Sequence, residues 1–124
     1  MTERSNLADR LLEYGVQIIK LVESLPKTRV CTRIGDQLLS CGTSVGANYE
    51  EAQGAESKND FIHKLQVGLK ELRESNYWLR LIAKSGIVPS VRLESLLDES
   101  NQLRAMLSKA VATAKGKAKI RDDL

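Results

Sequence analysis

The stretch Gln37–Glu51, QLLSCGTSVGANYEE, is the part of the chain from which its fold is predicted. At 3.6 residues per turn, one helical face of this stretch carries small or polar side chains: Gln37, Cys41, Ser44, Asn48 and Glu51. An aliphatic stripe runs beside this row, so a helix packed here must bury apolar and hydrogen-bonding groups together. The pattern favours a polar network that fixes packing register in a helical bundle. A binding or catalytic site is the alternative interpretation.

The composition favours helices along the whole chain. The 124 residues are 42% hydrophobic and 28% charged, with few aromatic residues and two prolines, and no run alternates apolar and polar residues long enough for a sheet. This length fits one compact domain. No apolar segment approaches the roughly 20 residues that a membrane helix needs, and the first residues lack the apolar core of a signal peptide. We therefore expect an all-α, cytoplasmic protein that does not enter a membrane.

Apolar residues at helical spacing predict four helices. Their approximate ranges are 5–24, 28–53, 57–85 and 90–115. Ser57 and Ser90 are suited to cap the third and fourth helices, and Gly86 ends the third. Because short loops join the helices, we predict an antiparallel up-down-up-down four-helix bundle over residues 1–115. A basic, flexible C-terminal tail is predicted over 116–124.

The predicted polar network also includes the third helix, where Glu71 and Glu74 share one face. Carboxylates in a bundle raise the question of a di-iron site, which needs a Glu-x-x-His pair on each of two helices. The chain has one histidine, His63, so we predict no metal site. Cys31 and Cys41 lie ten residues apart on one helix, a rise of about 15 Å, which is too far for a disulfide. We expect both to be reduced core residues.

An enzymatic site is the weakest of the hypotheses. His63 with a cysteine and Glu51 would form a nucleophile–base set, and Glu51, His63, Glu71 and Glu74 would form a pocket if they converged. The sequence has no P-loop, no dinucleotide-binding glycine motif and no Cys-x-x-Cys. We predict a protein without enzymatic activity and without a cofactor.

Positive charge is concentrated near the C-terminus, although the net charge is only +3. The cations that precede Asp122 without an intervening acid are Lys109, Lys115, Lys117, Lys119 and Arg121. Such a segment either binds nucleic acid phosphates or is a solvated terminus. In the nucleic-acid hypothesis, Arg29 and Arg33 near the start of the second helix assist it.

Tyr77 and Trp78 bring two large aromatic side chains together on the third helix. Successive helical residues diverge by about 100°, so one ring can face the core while the other meets a neighbouring subunit. We predict an interface at these two residues, with a core-filling Trp78 as the alternative.

The sequence resembles the 23S rRNA intervening-sequence proteins, which are small bacterial four-helix bundles related to the accessory variability protein of diversity-generating retroelements. The residues that carry this resemblance are Gln37, Ser44, Asn48, Glu51, Asp60–Leu65, Lys70-Glu71 and Glu74-Ser75-x-Tyr77-Trp78-Leu79. The resemblance implies an antiparallel bundle that assembles into a ring-shaped homopentamer. It also implies nucleic acid and a reverse transcriptase as partners in the retroelement relative.

Two functions follow from these observations. The first is a non-enzymatic, homo-oligomeric interaction scaffold, pentameric by the family resemblance. The second is a nucleic-acid-binding accessory protein of the retroelement type, which would bind RNA or DNA through its basic tail.

Overall fold

The computed structural model describes the backbone of residues 3–123 and the side chains of residues 6–116. Its four helices are α1 (Glu3–Ser24), α2 (Arg29–Gln53), α3 (Lys58–Ser85) and α4 (Glu94–Asp123), and a short 3₁₀ helix, Ser90–Arg92, precedes α4. The prediction of an all-α four-helix bundle is confirmed.

Local hydrogen bonds begin α2 and α3 where the sequence places them. The Thr28 hydroxyl accepts from the backbone N–H of Cys31 at 3.1 Å, and the Ser57 hydroxyl accepts from that of Asp60 at 3.0 Å. Both residues are N-caps, whose side chains satisfy amides that lack a partner in the first helical turn. α3 ends at Gly86, whose φ of 77° lies in the left-handed region that glycine adopts at little cost.

The fourth helix differs from its prediction at both ends. Ser90 does not cap α4 but begins the 3₁₀ helix, and this turn allows both Val88 and Leu93 to reach the core. At the other end, the α4 backbone is helical through Asp123, so the predicted boundary between residues 115 and 116 is not a helix end. Gly116 does not stop the helix, because one glycine costs only about 1 kcal/mol relative to alanine.

Neighbouring helices run antiparallel. Between α1 and α2, Leu11 lies beside Gly46 and Val22 beside Gly35. Between α2 and α3, Glu51 contacts Lys64 and Val45 contacts Gly68. Between α1 and the chain around the start of α4, Arg10 contacts Glu99 and Ser24 contacts Arg92. Within the described residues, the backbones of α2 and α4 do not come close to each other, and neither do those of α1 and α3. The helices therefore lie in chain order around the bundle, with α2 diagonal to α4.

The packing of α1 on α2 depends on the absence of a side chain at Gly42. A Cβ atom there would lie 2.8 Å from both Cγ1 and Cγ2 of Ile18, which is fully buried. Gly46, one turn further along α2, would meet Leu11 only at 3.5 Å, an ordinary contact distance. The closest approach of the two helices is therefore set at Gly42.

We predict that Gly42→Ala lowers the free energy of unfolding by about 1 to 3 kcal/mol, because Ile18 has no room to move in the core. This cost exceeds the gain in helix propensity of about 1 kcal/mol. Gly46→Ala is the matched control in the same helix, and we expect its stability to equal or exceed that of the native protein. Urea unfolding monitored by circular dichroism measures both, and equal stabilities for the two variants would contradict the prediction.

Candidate functional site

The polar row predicted on α2 forms mainly local hydrogen bonds. The Ser44 hydroxyl donates to the Ser40 carbonyl at 2.6 Å, and the Asn48 amide donates to the Ser44 carbonyl at 2.9 Å. Gln37 is exposed. Serine and asparagine in a helix can satisfy themselves on the preceding turn, which makes a partner on another helix unnecessary. For these three residues, the predicted network between helices of one chain is wrong, while bonding between subunits stays a prediction.

Glu51 is the member of this row that bonds to another helix. Its carboxylate accepts from the ammonium group of Lys64 on α3 at 3.0 Å. The pair lies at the surface, where such interactions are worth less than about 1 kcal/mol. It therefore links α2 to α3 but does not fix their packing.

Cys41 is the buried member of the row, and Glu71 and Glu74 lie near it. Burial, followed by the negative charge of Glu74 and of Glu71, raises the pKa of the Cys41 thiol to about 12. The thiol is therefore protonated at neutral pH, and it donates to the Leu38 carbonyl at 3.6 Å. A protonated, buried thiol is a poor nucleophile. Cys31 is also buried, and both cysteines are free, as predicted.

The residues of the enzymatic hypothesis do not come together. His63 is exposed in the first turns of α3, whereas Cys41 lies beside Glu74, which is eleven residues and about 16 Å further along that helix. Glu51 pairs with Lys64 at the His63 end. Among the described residues, no three His, Cys, Asp or Glu side chains form a group that could hold a metal ion.

A buried hydrogen-bonded layer crosses the middle of the bundle on other residues. The Tyr14 hydroxyl lies 2.8 Å from the Ser75 hydroxyl, which itself donates to the Leu72 carbonyl at 2.9 Å. Tyr14 is therefore the donor in the first bond. Burial raises the pKa of the Tyr14 hydroxyl. The bond joins α1 to α3 inside the core.

Asn76 continues this layer from α3 to α4. Its amide nitrogen donates to the Ser100 hydroxyl at 2.9 Å and to the Asn101 side-chain oxygen at 3.1 Å. Its own oxygen accepts from the Arg80 guanidinium at 3.0 Å. Ser75, Asn76 and Ser100 are all buried, so this layer has the register-fixing role that the sequence assigned to α2.

The sequence contains a signal for this layer on α3 and α4, away from the polar row of α2. Ser75 and Asn76 lie between Leu72 and Leu79 at a spacing that places all four on the core face of α3. Ser100 lies midway between Leu93 and Leu107 on the corresponding face of α4. Polar residues at core positions of two helices indicate partners across the bundle.

At the seam between α1 and α4, Arg10 forms a two-pronged ion pair with Glu99. The two nitrogen–oxygen distances are 3.0 and 2.6 Å, and the Arg10 guanidinium also donates to the Gln102 side chain at 3.0 Å. The hydrogen bond to Glu99 raises the Arg10 pKa further above its usual value. Beyond this pair, α1 and α4 separate around a groove of about 650 Å³ that runs from Tyr14 to Arg92.

The predicted nucleic-acid residues do not form one surface. Arg29 and Arg33 are exposed at the start of α2, and Lys109 and Lys115 are exposed near the opposite end of the bundle, on the diagonal helix α4. The structure therefore does not bring Arg29 and Arg33 to the surface that carries Lys109 and Lys115. The side chains of Lys117, Lys119 and Arg121 lie outside the described residues.

Tyr77 and Trp78 divide between surface and core. Trp78 packs against the core, while Tyr77 is 49% exposed. The rings meet edge to face with their centroids 5.2 Å apart, and the Arg80 guanidinium lies 5.9 Å from the centre of the Tyr77 ring. The Trp78 indole nitrogen is buried without a hydrogen-bond partner among the described residues. Tyr77 is thus the one of the two that a neighbouring chain can reach.

These features define a class of protein, a four-helix bundle with a buried polar layer and exposed apolar side chains. The description "23S rRNA-intervening sequence protein" belongs to the family that matches residues 4–109. The chain is a member of this family. None of the helices in the described part of the chain has the length and apolar content that crossing a membrane requires.

A solved structure is similar to the chain along nearly its whole length. It is a protein of unknown function from the S23 ribosomal protein family of Bacteroides thetaiotaomicron VPI-5482, with 33% sequence identity and a TM-score of 0.82. The match covers 89% of this chain and 98% of that one. No curated protein matches the chain. The relation to the retroelement protein stays a prediction.

We predict that Asn76→Ala lowers the free energy of unfolding by about 1 to 3 kcal/mol, because it leaves the buried Ser100 hydroxyl without its amide partner. Gln37→Ala is the control from the exposed row of α2, and we expect it to change stability by no more than about 0.5 kcal/mol. Chemical denaturation at one protein concentration measures both. A larger loss of stability for Gln37→Ala than for Asn76→Ala would contradict this prediction and would indicate that the polar row of α2 fixes the register.

Proposed function

We propose that this protein is a non-enzymatic, homo-oligomeric interaction scaffold of the cytoplasm. The observation that carries the proposal is the exposure of large apolar side chains on the outside of the bundle. Leu12 is 70% exposed and Ile19 is 42% exposed, and Leu39 and Tyr77 are exposed as well. Leu12 and Ile19 line one groove between α1 and α2. Apolar side chains that gather in this way, rather than lying singly, are typical of surfaces that another protein covers.

The buried layer supports this proposal because it makes the bundle rigid. Hydrogen bonds from α1 to α3 and from α3 to α4 fix the helices in one register, so the side chains on the outer faces keep constant positions. A surface that is already ordered loses little entropy when it binds. The bundle therefore suits assembly with another protein.

Five is the number of subunits that the family resemblance implies. A ring of five requires that each chain use two different patches, one for each neighbour. We expect the mass in solution to be about five times the 13.8 kDa of the chain.

Light scattering on a size-exclusion column, with native mass spectrometry, measures this mass at micromolar concentration. A strict monomer would contradict the scaffold proposal, because the exposed apolar face would then have no second copy to cover it. An oligomer of another size would be consistent with the scaffold proposal but would contradict the number of five subunits.

Nucleic-acid binding is a second candidate function, and the length of α4 favours it. Met106 of α4 lies beside Arg10, so the helix beyond about residue 113 runs past the start of α1 at Glu3. This extension is the segment that carries the C-terminal cations. In an oligomer, several such helices would present linked phosphate contacts to RNA or DNA. A protein partner such as a reverse transcriptase is the other occupant that the resemblance implies.

We predict that replacing Lys115, Lys117, Lys119 and Arg121 together by glutamine abolishes binding to a structured RNA and to a DNA duplex in fluorescence anisotropy. For the native protein on the duplex, log affinity should fall with log salt by about 0.9 per neutralised phosphate. Arg29→Gln with Arg33→Gln is the control at the opposite end of the bundle and should leave affinity unchanged. Equal affinity of the tail variant, or of a chain truncated after Ala114, would show that the tail is not the site.

A further inference from the structure

The outward side of α1 carries an apolar strip with an acid at each end. Its residues, Asp9, Leu12, Val16, Ile19 and Glu23, follow one another at spacings of three or four and so share one face of the helix. Val16 is half-buried and the other four are exposed. This face of α1 is separate from the buried stripe of the helix, so its exposed side chains are not part of the core.

The outward side of α2 has the same pattern. Its strip consists of Asp36, Leu39, Thr43, Ala47 and Glu50, with an acid again at each end. Residues of both strips line one groove of about 330 Å³, in which Glu50 is the charged residue. We call the two strips together the α1–α2 face.

The antiparallel packing brings the acids of the two strips together in pairs. Leu11 lies beside Gly46 and Val22 beside Gly35, so Asp9 and Glu50 lie towards one end of the α1–α2 face. Glu23 and Asp36 lie towards the other end. The face is therefore apolar in the middle and has a pair of acids at each end. Lys27 lies near Asp36, so the end with Asp9 and Glu50 is the more negative of the two.

The outward side of α3 carries the opposite charges. Its strip, which we call the α3 ridge, consists of Lys70, Arg73, Tyr77, Leu81 and Lys84. Leu81 is half-buried and the other four are exposed. Arg80 flanks the ridge with a further cation, and Glu74 flanks it with an acid, so the ridge remains positive.

The ridge and the face match in length as well as in charge. In each of the three strips the end charges are fourteen residues apart, which is about 21 Å along a helix. Cations at the ends of the ridge can therefore meet both acidic ends of the face while Tyr77 and Leu81 enter the apolar middle. Ridges of side chains on one helix commonly pack into the grooves on the surface of another helix.

We propose that the α3 ridge of one copy docks on the α1–α2 face of a second copy. Because α3 lies diagonal to α1 within the bundle, the two surfaces cannot meet within one chain. The contact is therefore head to tail, and repeated contacts of this kind close into a ring when the rotation allows. This inference rests on the proposed scaffold function and names the surfaces that it uses.

Two variants that each break one surface test the proposal. Leu12→Asp puts a charge in the middle of the α1–α2 face, and Tyr77→Asp does the same on the α3 ridge. Each variant retains one intact surface, so each alone should be monomeric, and a 1:1 mixture should contain heterodimers and nothing larger. Val91→Asp is the control, because Val91 is 68% exposed but lies in the 3₁₀ helix, outside both surfaces. Its oligomer mass should equal that of the native protein.

Native mass spectrometry reads the masses, and circular dichroism verifies that each variant is folded. Native-like oligomers of both variants would overturn the assigned surfaces and keep the scaffold proposal, whereas a monomeric native protein would overturn both. Monomers that do not pair on mixing would overturn the head-to-tail contact. If either variant is unfolded, two double variants replace them. Lys70→Glu combined with Lys84→Glu reverses charges on the α3 ridge, and Glu23→Lys combined with Glu50→Lys reverses charges on the α1–α2 face. Each charge-reversed protein should be monomeric alone. Mixing the two should restore assemblies that contain both proteins and are larger than a heterodimer, because the native ridge fits the native face and the reversed ridge fits the reversed face.

Discussion

The bundle depends on the hydrogen bonds that are buried at its centre. Tyr14, Ser75, Asn76 and Ser100 join α1, α3 and α4 through side chains that water cannot reach. A slip of one helix by a turn would break several of these bonds, and each buried group left unpaired costs about 1 to 3 kcal/mol. Aliphatic contacts alone would tolerate such a slip far better, because leucines can replace one another at similar volume. The polar layer therefore specifies one register among many that the apolar core would accept.

A fixed register also holds the side chains on the outer faces of the helices in constant relative positions. The contact of Gly42 with Ile18 holds α1 close to α2, and this closeness joins two separate apolar strips into one groove. The seam between α1 and α4 is different, because Arg10 and Glu99 bridge it and a wide groove lies beside them. On one side, α1 thus packs closely against α2, and the groove outside this contact is apolar. On its other side, α1 is joined to α4 by an ion pair beside an open groove.

The candidate site shows why local patterns locate polar residues but do not assign their partners. The small, polar row on α2 was visible in the sequence, yet Ser44 and Asn48 bond to carbonyls of their own helix. A spacing pattern cannot distinguish this local bonding from a bond across the bundle. Ser75 and Asn76 do bond across it, whereas the network predicted from the sequence named Glu71 and Glu74 on α3. The sequence also could not show that Arg29 lies at the opposite end from Lys109.

The helical class, the number of helices, the start of α2 near Thr28, the cap at Ser57 and the stop at Gly86 could all be predicted from the sequence. These features depend on periodicity and on hydrogen bonds within a few residues, which are local properties of a chain. The folded structure was needed to show which polar groups meet in the core, how far α4 continues beyond Gly116, and which outer strips lie side by side. Those outcomes depend on distances between residues far apart in the chain, and packing of whole helices sets such distances.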